Sequence, residues 1–247
     1  MFPTGPAAVP VVAKGRIMRV AFRFIGLLMA ALVLAGCVNK EPEQRAAFIA
    51  WLQARVTDAP GAAVPALDPA QRDALGDYAD HYAVLADFDA VAAAAVRRLT
   101  RALEHGELRS LAQLQARHDA LQTDRQALDE ARDSLRKALA QAQAERAELK
   151  QPADLRPVYA RAYDQAVTQS AARLDALLQV AIAAVGDALR AADFVARHRQ
   201  QIVIDAESAS VRDPSVQREL NQLLDALNGH AAAVDQAQRS LRALAPA

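Results

Sequence analysis

The side chains able to do chemistry are few. Cys37 is the one cysteine in 247 residues, so no intramolecular disulfide can form. The five histidines are His81, His105, His118, His198 and His230, none spaced as a pair. Asp77, Asp80 and His81 form the densest carboxylate–imidazole group. On a helix Asp77 and His81 stand one turn apart and could share a metal. Ligands from a single helix do not complete a coordination shell, so the expectation is an ordinary ion pair and no metal. His230 falls on an apolar stripe, where a hydrogen-bonded core histidine is expected before a catalytic base. Tyr78, Tyr82, Tyr159 and Tyr163 recur at helical spacing and suit either core packing or the lining of an inter-helix pocket. There is no phosphate loop, Gly-rich nucleotide fingerprint, His-Glu-x-x-His or Gly-x-Ser-x-Gly. Nor is there a Glu-x-x-His pair of the kind di-iron bundles use. Neither an enzyme nor a cofactor is expected, and no ligand-binding residues are assigned.

The setting of Cys37 makes the thiol more than a small hydrophobe. It closes an apolar run from Phe24 to Ala35, directly after Leu34-Ala-Gly36. Upstream lie Lys14, Arg16, Arg19 and Arg23, with no acidic residue before Glu41. A basic region, about a dozen apolar residues and small residues at the cut make a secretory signal peptide. Only 13 residues separate Arg23 from Cys37, fewer than the roughly 20 a spanning helix needs. The pattern resembles the lipobox of bacterial lipoproteins. That resemblance implies cleavage between Gly36 and Cys37, a diacylglyceryl group on the Cys37 sulfur, and acylation of the new N-terminus. Val38, where an Asp would favour the inner membrane, points by the same resemblance to the outer membrane. Initiation at Met18 gives the more compact signal. Residues 1–36 are thus expected to be the signal, 37–42 a tether and 43–247 one helical domain. A six-residue tether reaches about 20 Å, which keeps the domain near the bilayer.

Beyond residue 36 the chain carries 25 Lys and Arg against 29 Asp and Glu. That balance excludes the clustered basic excess of a nucleic-acid binder. Aromatics are only 4% and alanine dominates the apolar fraction, which suits closely approaching helices.

The periodicity predicts an all-α, elongated antiparallel bundle of about five helices, three of them very long. The first covers 43–56. The second starts at the Asp68-Pro69 cap and continues to 104 through Leu75, Tyr78, Tyr82, Leu85, Phe88 and Leu99, with Gly76 loosening its first turns. The third covers 107–150, with Leu114, Leu121, Leu128 and Leu135 every seven residues. Its partner heptad positions include His118, Arg125 and Arg132, which suits a bundle helix with a narrow, partly wet stripe better than a zipper. The fourth covers 154–199, is the most apolar and therefore central, and kinks near Thr168-Gln-Ser170. Gln201 to Asp205 reads as extended, without a convincing strand partner. Asp213-Pro214 caps a fifth helix running to the C-terminus.

Three blocks carry a family resemblance: Gln44-Arg-Ala-Ala-Phe-Ile-Ala-Trp-Leu-Gln53, Leu155-Arg-Pro-Val-Tyr159 and Val185-Gly-Asp187. With the lipobox, they make the chain similar to the uncharacterised Gram-negative lipoprotein family typified by YiaF. The resemblance implies a helical domain and lipidation at Cys37, and carries no catalytic residues. The function expected is a non-enzymatic lipoprotein held to the envelope membrane by its acyl chains. Facing the periplasm, it would offer a helical surface to another envelope protein. The alternative is a module holding a small molecule or lipid between its helices.

Overall fold

The computed structural model describes residues 39–58, 63–105, 110–204 and 209–244. The chain divides into two units, Met1–Pro42 and Glu43–Ala247. Of the first, only residues 39–42 are described. The second is all-α apart from one small hairpin. In chain order come α1 (Glu41–Leu52), α2 (Pro69–Leu75), α3 (Tyr78–His105), α4 (Leu111–Ala116), α5 (His118–Glu148), α6 (Leu155–Tyr163) and α7 (Gln169–Arg197). Then follow β1 (Ile202–Ile204), β2 (Ala209–Val211), α8 (Pro214–Asn228) and α9 (Ala231–Leu244). Among the described residues, no helix is long and apolar enough to cross a membrane.

The expected helices are present, several of them divided. The Asp68 carboxylate accepts from the Gln71 amide at 2.8 Å while the Gln71 side chain accepts from the Asp68 N–H at 2.9 Å, a complete capping box. This helix does not continue to 104, because Gly76 adopts φ +55° and turns the chain between α2 and α3. A second break separates α4 from α5 at Arg117, and a third separates α8 from α9 at Gly229 and His230. The kink foreseen near Thr168 is a π-helical turn, Asp164–Thr168, between α6 and α7.

Within the run expected to be extended, Ile202–Ile204 does find a strand partner, against expectation. Ile202 pairs with Val211 and Ile204 with Ala209, antiparallel. Two strands alone are marginal in water; here Ile202 buries itself against Phe194 and Val195 of α7 and Val216 and Leu220 of α8. Three-residue strands carry too little alternation to be read locally, and tertiary packing decides them.

Helix α7 is central. It packs on α3, α4, α5, α8 and α9, and twelve of its residues are buried, among them Leu174, Leu178, Ala181, Val185 and Phe194. Helix α5 packs on both α3 and α7 and buries Leu121, Leu128, Ala131 and Leu135. The partly wet site expected at Leu128 is not there, since its exposure is 0%. The heptad leucines of α4 and α5 are consumed inside the chain.

Candidate functional site

Helix α1 is fastened to the rest of the bundle residue by residue. The Gln44 carboxamide occupies the space where a Cβ at Gly76 would stand, so glycine serves both the left-handed turn and the close approach. The Arg45 guanidinium pairs with Asp154, at the cap of α6, at 3.3 Å. Phe48 is fully buried, its ring stacked on Tyr78 at 5.5 Å and tilted against Tyr159 at 6.3 Å. Trp51 meets Tyr82 edge-on, and Arg55 lies over the indole at 5.1 Å. Leu52 is buried with them. One face of a single helix thus supplies a polar wedge, an ion pair and an aromatic plug.

The four tyrosines belong to this plug. Tyr78, Tyr82, Tyr159 and Tyr163 are all buried, and the inter-helix pocket they were a candidate to line is filled by their own rings and Phe48. Tyr159 donates to the His81 carbonyl at 2.9 Å and Tyr82 to the Pro65 carbonyl at 3.0 Å. Burial raises the pKa of both phenols. His81 itself presents its ring to Phe48, Tyr78 and Tyr159. Its Nδ1 is buried without a hydrogen-bond partner, and desolvation lowers its pKa below the usual value despite Asp80 and Asp77. A ring packed among aromatics is not placed to share a cation with Asp77. Among the described residues, no group of three His, Cys, Asp or Glu side chains could hold a metal.

The polar heptad positions His118, Arg125 and Arg132 of α5 turn inward to α7. His118 Nε2 meets Asp193 at 2.7 Å, and the Arg125 Nη1 donates to the Ile182 carbonyl at 3.2 Å. Arg132 holds Asp175 with two hydrogen bonds, 2.7 and 3.3 Å. These rungs, seven residues apart on one side, clip antiparallel helices together, which is why basic residues sit where a zipper wants leucine. Gly186 leaves room for the Arg125 guanidinium, which a Cβ there would press upon. The next residue, Asp187, is a carboxylate only 7% exposed that meets His230 at 2.7 Å and the Arg190 guanidinium. His230 is therefore a hydrogen-bonded structural histidine joining the α8–α9 break to α7. Cys37 and Gly36 lie outside the described residues.

Sequence reasoning missed one cluster. Where α5 ends and α6 begins, Arg146, Lys150, Gln151 and Arg156 line an open notch of about 690 Å³ with apolar walls from Leu149 and Pro152. Arg146 is held by stacking over the Tyr163 ring at 4.3 Å. The notch is assembled from residues on both sides of the Gln151-Pro152 turn, and helical periodicity says nothing about what a turn brings together.

A family model described as a protein of unknown function, DUF3053, matches residues 25–242. The chain belongs to that family. It is similar to the uncharacterized protein YiaF of Escherichia coli K12, at 26% identity over 225 residues, 87% of this chain and 92% of that relative. The YiaF of Shigella flexneri matches with the same figures. No solved structure matches. The family resemblance read from the three sequence blocks is borne out. Those blocks also acquire a physical meaning in this chain. The Gln44 block and the Leu155 block meet in the clamp on α1 through Phe48 and Tyr159, and Arg45 pairs with Asp154 just before the second block. The Val185 block places Gly186 and Asp187 under Arg125 and His230.

Proposed function

We propose that this protein is an envelope lipoprotein, anchored by acyl chains on Cys37, whose bundle offers the outer face of α5 to a protein partner beside the membrane. The observation that carries this reading is the spacing between Cys37 and α1. Only three residues separate the lipobox-like cysteine from the first residue of a helix that is plugged into the core. Three residues and their flanking bonds span about 14 Å at most. An anchor so close to a rigid attachment would fix the height of the domain above the bilayer. It would also restrict its tilt, which is what a presenting module needs and a freely diffusing one does not. Two acyl chains or more give stable anchoring where a single chain is marginal. By the Val38 pattern the membrane is the outer one, with the domain in the periplasm.

Helix α5 is suited to presentation. Its 31 residues extend about 46 Å. Gln122, Gln126, Glu130, Asp133 and Lys137 stand exposed along its outer side. Gln126 donates to Glu130 at 3.0 Å and Gln141 to Glu145 at 2.9 Å, so the face is polar and internally ordered. The first test is intact-mass spectrometry of the membrane fraction, with a Cys37→Ala variant alongside. The expected result is an N-terminus at Cys37 carrying acyl mass, lost in the variant together with membrane retention. A mature N-terminus elsewhere, or one without acyl mass, refutes the anchor. A photo-crosslinking residue at Gln126 or Asp133 in living cells should then trap one recurrent protein. Recurrent adducts from α8 and α9 with none from α5 refute the choice of face.

A further inference from the structure

We infer that the notch between α5 and α6 is a binding site for the phosphate of acidic phospholipid headgroups in the anchoring leaflet. The inference rests on the anchored reading above and adds a second, non-covalent contact with the same membrane.

Four observations converge on it. First, three cations line the notch, Arg146, Lys150 and Arg156, and no carboxylate does. The chain beyond residue 36 has an acidic excess, so this patch runs against the prevailing sign. The carboxylate nearest in sequence to Arg156, that of Asp154, faces Arg45 at 3.3 Å. Second, the cations are partly preset. Arg146 is stacked on Tyr163, and Arg156 Nη2 reaches the Gln151 carbonyl at 3.4 Å. Ordered guanidinium groups lose less entropy on gripping an anion and suit the fork geometry of phosphate oxygens. Third, the Gln151 side chain, part of the same lining, has its amide nitrogen buried with no acceptor. A buried donor left unpaired is costly, and a turn of this carboxamide toward the notch would let a phosphate oxygen accept from it. Fourth, Leu149 and Pro152 give the notch apolar walls beside its charges. That mixture matches a phosphate that carries a glycerol and the start of acyl chains, where a free anion needs charge alone.

The position fits the same occupant. Arg45, one turn into α1, is bonded to Asp154, two residues from Arg156. One helical turn is about 6 Å, and the stretch from Cys37 to Glu41 adds about 14 Å at full extension. By covalent reach alone, an acylated Cys37 would lie within about 20 Å of the Arg45–Asp154 pair, at the start of the helix that carries Arg156. Basic residues near an anionic leaflet bind within a Debye length of it, each strengthening association about fivefold.

Three lysines remain beyond the signal, Lys40, Lys137 and Lys150, and they make a built-in footprint. The acylated full-length mature protein would be reconstituted in nanodiscs of phosphatidylcholine alone or with one-third phosphatidylglycerol. Each lysine's acetylation rate would be followed by mass spectrometry. Lys150 should be acetylated about fivefold more slowly on the anionic discs, with Lys137, far along α5, unchanged. The Arg146→Gln/Arg156→Gln variant should lose that protection while still co-purifying with the discs, and circular dichroism would confirm that it is folded. Equal Lys150 rates on both discs overturn the proposal. So does equal slowing of Lys137, which would mark general surface attraction. A third arm adds inorganic phosphate to phosphatidylcholine discs; protection of Lys150 as strong as on anionic discs would assign the notch to soluble phosphate and overturn the lipid. Loss of acyl mass or of co-purification with the discs is read separately, as failure of the anchor and with it of the proposal.

Discussion

Phe48→Ala tests whether α1 is part of the cooperative fold or an arm resting on it. The ring is fully buried, against Tyr78 at 5.5 Å, His81 at 6.2 Å and Tyr159 at 6.3 Å. A buried aromatic removes about 150–250 Å² from water, which at about 25 cal/mol per Å² is roughly 4–6 kcal/mol as an upper bound. Alanine keeps one methyl, and measured Phe→Ala losses run about 3–5 kcal/mol. The void would be walled by rings that are themselves pinned, Tyr159 by its bond to the His81 carbonyl and Tyr78 by its place at the turn after Gly76. Little collapse is available, so the expected loss is about 4 kcal/mol or more, in the upper half of that range. In urea, with a slope of about 2 kcal/mol per molar, the midpoint should fall by about 2 M. The assay is equilibrium unfolding of a chain beginning at Val38, followed by far-ultraviolet circular dichroism and tyrosine fluorescence together. Both probes should shift as one transition. A midpoint unchanged within about 0.3 M, with new proteolysis confined to α1, would show that the helix detaches on its own and would refute the clamp.

Two further outcomes follow from the packing and the charges. Leu128→Ala on α5 and Leu178→Ala on α7 should cost the same within about 1 kcal/mol, each about 2–5 kcal/mol, because both are fully buried. Chemical denaturation of the two variants checks it, and a Leu128 loss below about 1 kcal/mol would restore the partly wet site. The hydrogen bonds from His118 to Asp193 and Asp119 raise the histidine pKa above its ordinary value. The folded state therefore binds the proton more tightly than the unfolded chain. That stability is fully present below the unfolded value of about 6.5 and is lost as pH rises through the raised folded value. Urea midpoints measured upward from about pH 6 should decline in the native chain and flatten in this window in His118→Asn; an identical slope in both would refute it.

Much of the bundle was legible in the sequence because apolar periodicity is a local record of which helix face is buried. The stripe of α3, the Asp68-Pro69 and Asp213-Pro214 caps, the centrality of α7 and the kink near Thr168 all followed from neighbours within a turn or two. The lipobox-like Leu34-Ala-Gly-Cys37 is likewise a linear pattern, complete without any fold. What only the tertiary structure decided is what distant segments do to one another. It turned the tyrosines from possible pocket walls into a plug with Phe48, and His81 from a possible ligand into a ring packed among rings. It buried Leu128, which its heptad neighbours Arg125 and Arg132 had marked as wet, because those arginines reach across to α7. It paired β1 with β2, and it gathered Arg146, Lys150 and Arg156 around one notch. A side chain's periodicity is set by its own helix, whereas its partner is set by how separate elements pack. That second choice depends on contacts tens of residues apart, which no local pattern encodes.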